Sequence, residues 1–109
     1  MAIEIERKFL VSGDGWRGAV TGSAALRQGY LSTSAKVTVR IRIFDDERAV
    51  LTLKGPTDGI SRAEFEYDVP LADGLTMLEM ARPNVVEKRR FIVPHDGLTW
   101  EVDVFEGLH

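Results

Sequence analysis

Apolar and charged residues alternate one by one along most of the chain. Ile3 and Ile5 alternate with Glu4 and Glu6, and a period of two recurs in most of the later segments. This period is typical of β-strands whose two faces meet different surroundings. The pattern predicts seven strands, over residues 3–11, 26–32, 36–44, 48–54, 61–69, 85–93 and 98–105.

One segment has a helical pattern instead. Leu71, Leu75 and Leu78 form an apolar stripe at helical spacing and predict a helix within residues 70–81. A short helical turn is predicted at residues 16–20. The elements together predict a strand-dominated α+β fold with mostly antiparallel neighbours, arranged as a barrel or a sandwich.

Length and composition narrow the possible functions. The 109 residues predict a single domain. With 17 acidic and 14 basic residues the net charge is −3, which argues against nucleic acid as the main partner. The absence of cysteine excludes disulfides and thiolate metal sites. No apolar run reaches membrane-spanning length and Met1 opens into a charged segment, so we expect a cytoplasmic protein without a membrane partner.

Charged residues of both signs fall on one face of the predicted strands. A sheet with one solvated face would account for such charges strand by strand. The alternative is a barrel whose polar lumen holds a polyphosphate with a divalent metal, because arginine and lysine bind phosphate and carboxylates bind Mg²⁺ or Mn²⁺. The residues are Glu4, Glu6, Lys8, Arg40, Arg42, Lys54, Glu64, Glu66, Lys88, Arg90, Glu101 and Asp103. Arg7, Arg62, Glu87 and Arg89 are assigned to the exterior.

The sequence resembles the CYTH domains, also called triphosphate tunnel metalloenzymes. Residues 4–8 read Glu-Ile-Glu-Arg-Lys and match the Glu-x-Glu-x-Lys signature of that family. The similarity is greatest to short bacterial members of the inorganic triphosphatase type. The other matching segments follow in the order of the family, at residues 26–31, 39–42, 51–54, 62–66, 86–90 and 100–105.

The resemblance implies a tunnel-shaped antiparallel barrel with the charged residues pointing inward. Lys8, Arg40, Arg42, Lys54, Lys88 and Arg90 would then bind the phosphates. Glu4, Glu6 and Asp103 would hold Mg²⁺ or Mn²⁺, with Glu64, Glu66 and Glu101 as further candidates. Glu4, Glu6 and Lys8 would be the catalytic residues.

The chain differs from the family pattern at its carboxy-terminal end. It stops soon after the segment with Asp103, where family members continue with another Glu-x-Glu strand and a helical segment. We therefore expect an incomplete barrel. Because open strand edges favour association with another chain, we also expect a homodimer.

The leading functional hypothesis is metal-dependent hydrolysis of a triphosphate by metal-activated water. Tripolyphosphate, ATP and thiamine triphosphate are the candidate substrates. Two alternatives stay open. One is a class IV-type adenylyl cyclase, and the other is a module that binds polyphosphate or nucleotide without catalysis.

Overall fold

The computed structural model describes residues 13–57 and 61–106 and the backbone of residues 2–5. Seven β-strands and one α-helix lie within these ranges, together with a short 3-10 helix at Gly15–Ala19. In chain order the elements are β1 (Ala2–Ile5), β2 (Gly22–Thr33), β3 (Thr38–Phe44), β4 (Arg48–Lys54), β5 (Ser61–Val69), α1 (Leu71–Met80), β6 (Val85–His95) and β7 (Leu98–Glu106).

The seven strands form one sheet in the order β1-β5-β4-β3-β2-β6-β7. Every pair of neighbours in the sheet is antiparallel. The predicted strand-dominated antiparallel fold with one main helix is therefore confirmed. Strands β1 and β7 lie at opposite ends of this order, and the described residues do not pair them, so the described sheet is not closed into a barrel.

The hydrophobic core lies between α1 and one face of β3 and β4. Ile41 and Ile43 of β3 are completely buried there against Leu78 of the helix. The helix approaches the sheet closely at Gly74, where an added Cβ would lie 2.3 Å from the Cβ of Ala49. Only a residue without a side chain fits this contact. Gly74, which counts against a helix by propensity, is thus what allows α1 to pack on the sheet.

The opposite face of the sheet is polar, although much of it is also buried. Arg42, Thr52, Lys54 and Lys88 are each less than one-tenth exposed. Helix α1 covers the other face, so these side chains are not part of the apolar core. No helix in the described part of the chain is long and apolar enough to cross a membrane.

Candidate functional site

The register of the strands collects the charged residues on the polar face. Arg40 lies opposite Thr52, Lys54 opposite Glu64, and Arg90 opposite Asp103. Residues directly opposite each other in an antiparallel pair share a face of the sheet. We call this surface the charged face; its polar members include Gln28, Arg40, Arg42, Thr52, Lys54, Arg62, Glu64, Glu66, Lys88, Arg90, Glu101 and Asp103.

Asp103 is the centre of an ion-pair cluster on β6 and β7. Its Oδ2 accepts a hydrogen bond from Lys88 Nζ at 2.6 Å and from an Arg90 terminal nitrogen at 3.0 Å. Its Oδ1 accepts a hydrogen bond from Arg90 Nε at 2.8 Å. Burial would raise the pKa of Asp103, but the hydrogen bonds from Arg90 and Lys88 outweigh burial and lower the pKa to about 2. Asp103 is therefore a carboxylate at any physiological pH.

Arg42 lies next to this cluster and is held by an uncharged partner. Its Nε donates a hydrogen bond to Oε1 of Gln28 at 2.9 Å. Burial, followed by repulsion from Arg40 and Arg90, lowers the pKa of Arg42 to about 10. Arg42 therefore remains a cation at neutral pH, in surroundings that disfavour its charge.

The surroundings of Lys88 also disfavour its charged form. Burial lowers its pKa, and the opposing hydrogen bond to Asp103 does not fully compensate. Among the described residues, Arg42, Lys88 and Arg90 surround one carboxylate of comparable burial, Asp103, since the side chain of Glu101, a further acidic partner of Arg90, is 52% exposed. A buried positive charge is costly unless an anion compensates it. An anion bound next to Arg42 and Lys88 would offset this cost.

Two buried polar atoms on this face also lack hydrogen-bond partners among the described residues. They are Nε of Arg40 and Oγ1 of Thr52. Buried donors are nearly always satisfied in folded proteins. The two residues lie directly opposite each other on β3 and β4, so the two atoms belong to one part of the charged face.

Acidic residues lie toward the two edges of the sheet, and most of the basic ones lie between them. Glu64 and Glu66 are on β5 near one edge, and Glu101 and Asp103 are on β7 at the other. Glu4 of β1 occupies the register position opposite Arg62. Within the described ranges no group of three or more carboxylate or histidine side chains is close enough to hold a metal.

The structure brings together many of the residues predicted from the sequence. Arg42, Lys88, Arg90, Glu101 and Asp103 form one connected electrostatic cluster. Their catalytic and binding roles stay predictions. Arg40, Lys54, Glu64 and Glu66 share the face with this cluster, Glu4 is described by its backbone position alone, and Glu6 and Lys8 lie outside the described residues.

One assignment from the sequence was wrong, and two residues were missed. Arg62 was placed on the exterior, but it has the same parity as Glu64 and Glu66 and lies on the charged face. Simple counting along β5 would have found it. Gln28 and Thr52 were not assigned to the site because uncharged side chains gave no signal, and only the register places them beside Arg42 and Arg40.

Sequence and structure comparisons identify proteins that are similar to this chain. The profile of the CYTH domain matches residues 2–108. The chain is 43% identical to an inorganic triphosphatase of Acetivibrio thermocellus over 108 residues, which are 98% of this chain and 68% of that protein.

Two crystal structures of the protein NE1496 are also similar. One is described as a hypothetical protein and has 28% sequence identity, and the other is described as an inorganic triphosphatase and has 29%. Both superpose with a TM-score of 0.58 and cover 79% of this chain. This chain spans 57% and 56% of the lengths of those two chains.

Proposed function

Because the chain belongs to the CYTH domain family, we propose that it binds inorganic triphosphate, or a related triphosphate, on the charged face and hydrolyses it. The observation that carries the proposal is that Arg42 and Lys88 are buried next to each other in surroundings that lower the pKa of both and so disfavour their charged forms. The similarity to two proteins described as inorganic triphosphatases gives the chemical class of the anion.

The basic residues would bind the phosphates in two ways. The guanidinium groups of Arg40, Arg42 and Arg90 have a planar fork that pairs with two phosphoryl oxygens, and Lys54 and Lys88 provide point charges. A chain of several phosphates suits these residues, which are spread over the three strands β3, β4 and β6, better than a single phosphate does. Lys8 is proposed to join this set from the amino-terminal segment.

Mg²⁺ or Mn²⁺ is the proposed cofactor. The carboxylates of this face are the hard oxygen ligands that such ions prefer, and Glu4, Glu6 and Asp103 are the proposed ligands. Both oxygens of Asp103 are already bound by Lys88 and Arg90, so the described residues alone do not complete a metal site. When bound, a divalent cation would screen the phosphoryl charge and lower the pKa of water.

Hydrolysis would use the charged face as a fixed electrostatic environment. In phosphoryl transfer, catalysis consists mainly of positioning and of stabilising charge on the transferred group. The cations on the charged face are held by strands and by packing, so they require little rearrangement when that charge develops. Glu4 and Glu6 are proposed to orient the attacking water.

Closure of the sheet into a tunnel is part of the same proposal. Acidic residues near both edges would then approach each other and enclose the basic centre. Strand edges that are not closed within one chain favour pairing with a second chain, and we propose a homodimer for that reason. Light scattering of the purified chain would measure its mass in solution.

The proposed function is tested by release of orthophosphate from tripolyphosphate, ATP and thiamine triphosphate, with Mg²⁺ and with Mn²⁺. We expect release that EDTA abolishes and that the variant Glu4→Gln/Glu6→Gln lacks. Calorimetry with tripolyphosphate in parallel distinguishes hydrolysis from binding alone. A wild-type chain that neither binds nor cleaves any of the three compounds would contradict the proposal.

A further inference from the structure

Thr52 is the most deeply buried polar side chain among the described residues of the charged face. Its side chain is 1% exposed, at the middle of β4. Its neighbours across the sheet are Arg40 on β3 and Glu66 on β5. The Oγ1 atom has no hydrogen-bond partner within the described ranges. The hydroxyl of Thr52 is therefore shielded from water and makes no hydrogen bond to the described residues.

Such a hydroxyl has no evident structural purpose. An unsatisfied buried hydroxyl destabilises a protein, and valine would fill the same volume without that cost. Threonine and valine also have similar preferences for strands. The fold of β4 is therefore served at least as well by valine, and the hydroxyl is explained only by something that binds it.

The second buried atom without a hydrogen-bond partner among the described residues, Nε of Arg40, indicates which kind of group would bind the Thr52 hydroxyl. Nε of Arg40 is buried on the residue directly opposite Thr52 and can only donate a hydrogen bond. Side chains directly opposite in an antiparallel pair have Cβ atoms about 5 Å apart. One acceptor placed between them would satisfy both atoms. On a face with surplus positive charge, that acceptor would be an anionic oxygen.

We propose that the Thr52 hydroxyl and Arg40 Nε together donate hydrogen bonds to a phosphoryl oxygen of the bound triphosphate. This inference rests on the proposed function and adds an uncharged binding residue to it. Thr52 is a substrate-binding residue in this role and transfers no proton. The contact fixes the position of one phosphate along the charged face, because β3 and β4 hold both donors rigidly.

The experiment compares Thr52→Val, which removes the hydroxyl, with Thr52→Ser, which keeps it. The matched control is Thr76→Val, since Thr76 is exposed on α1, the helix that packs on the opposite face of the sheet. Calorimetry with tripolyphosphate in metal-free buffer gives Kd, and phosphate release with Mg²⁺ gives KM and kcat. Thermal unfolding without ligand gives the stability of each variant.

We expect Thr52→Val to raise Kd and KM about tenfold or more, the usual effect of losing one hydrogen bond to a charged group. Thr52→Ser and Thr76→Val should stay within about threefold of the wild type. The unliganded Thr52→Val chain should melt no lower than the wild type, because it has lost an orphaned hydroxyl.

Two results would overturn the inference. The first is that the wild type binds tripolyphosphate and Thr52→Val binds it equally tightly. The second is a combination of two findings: Thr52→Val melts at a lower temperature than the wild type, and Thr52→Val and Thr52→Ser lose affinity equally. That combination would indicate that Thr52 acts through packing. A wild type without any affinity for tripolyphosphate would overturn the proposed function itself and this inference with it.

Discussion

Asp103 should contribute more to stability than any exposed ion pair of the protein, and the substitution Asp103→Asn tests this. The carboxylate binds Lys88 and Arg90 through both of its oxygens, with a side chain 20% exposed. Asparagine keeps the shape and one acceptor but removes the charge. The pairs that it disrupts are shielded from solvent, so salt and water screen them less than they screen surface pairs.

The contribution of the Asp103 carboxylate to the free energy of unfolding follows from its lowered pKa. In the folded chain the pKa of Asp103 lies at about 2, against the ordinary aspartate value of 3.8. At about 1.4 kcal/mol per pKa unit, the charged form of Asp103 stabilises the folded state by about 2.5 kcal/mol at pH 7. Because the folded pKa is lowered, this contribution is present above about pH 4 and is lost as the pH falls toward 2. About half should remain at pH 3.

Urea denaturation of the wild type and Asp103→Asn at pH 7, 4 and 3 measures this difference directly. The control is Asp46→Asn, since Asp46 pairs with Arg27 on the surface and its side chain is 74% exposed. The control should change stability by less than about 0.5 kcal/mol. If Asp103→Asn is as stable as the wild type at pH 7, or if its deficit is the same at pH 3, the assignment of Asp103 as the organising charge is wrong.

Two further predictions concern the core and the ligand. Gly74→Ala should destabilise the chain by about 1–3 kcal/mol despite the better helix propensity of alanine, because the new Cβ meets Ala49. Urea denaturation measures this change in stability. Unchanged stability would show that α1 can move away from the sheet. Arg42→Lys should weaken tripolyphosphate binding about tenfold because lysine has no planar fork. Calorimetry at low and high salt measures the affinity of the wild type and the variant. Equal affinity of a chain at both salt concentrations would argue against an electrostatic site.

The sequence predicted the strands well where alternation was strict and turns were clear. The bounds of β4 and β5 agree with the structure, since polar turn or loop residues at 45–47 and 55–59 separate these segments from their neighbours. Strand β2 begins at Gly22, four residues before its predicted start. The residues Gly22 to Ala25 have little preference for strands, but they pair with residues 89–92 of β6. Pairing across the sheet therefore outweighs local propensity there.

The site was predictable in composition but not in contacts. Parity along each strand shows which residues share a face, and that is sufficient for Arg42, Lys88 and Asp103. Parity within a strand says nothing about which residue lies opposite which, because the register depends on the turns and on packing. The hydrogen bond between Arg42 and Gln28 arises from the register of β2 with β3, so no pattern in either segment alone could reveal it.

The cluster around Asp103 also sets a relation between stability and ligand binding. Asp103 presents two oxygens to Arg90 in the way that a phosphoryl group would, so in the unliganded chain it partly replaces the substrate. Arg42, Lys88 and Arg90 lie together on the charged face, and burial first, then repulsion from neighbouring arginines, lowers the pKa values of Arg42 and Lys88. A bound polyanion would offset that repulsion and stabilise the folded chain by an amount that rises with the logarithm of the ratio of ligand concentration to Kd. Arg42 and Lys88, whose charged forms are disfavoured in the unliganded chain, are therefore the residues expected to gain most from a bound triphosphate.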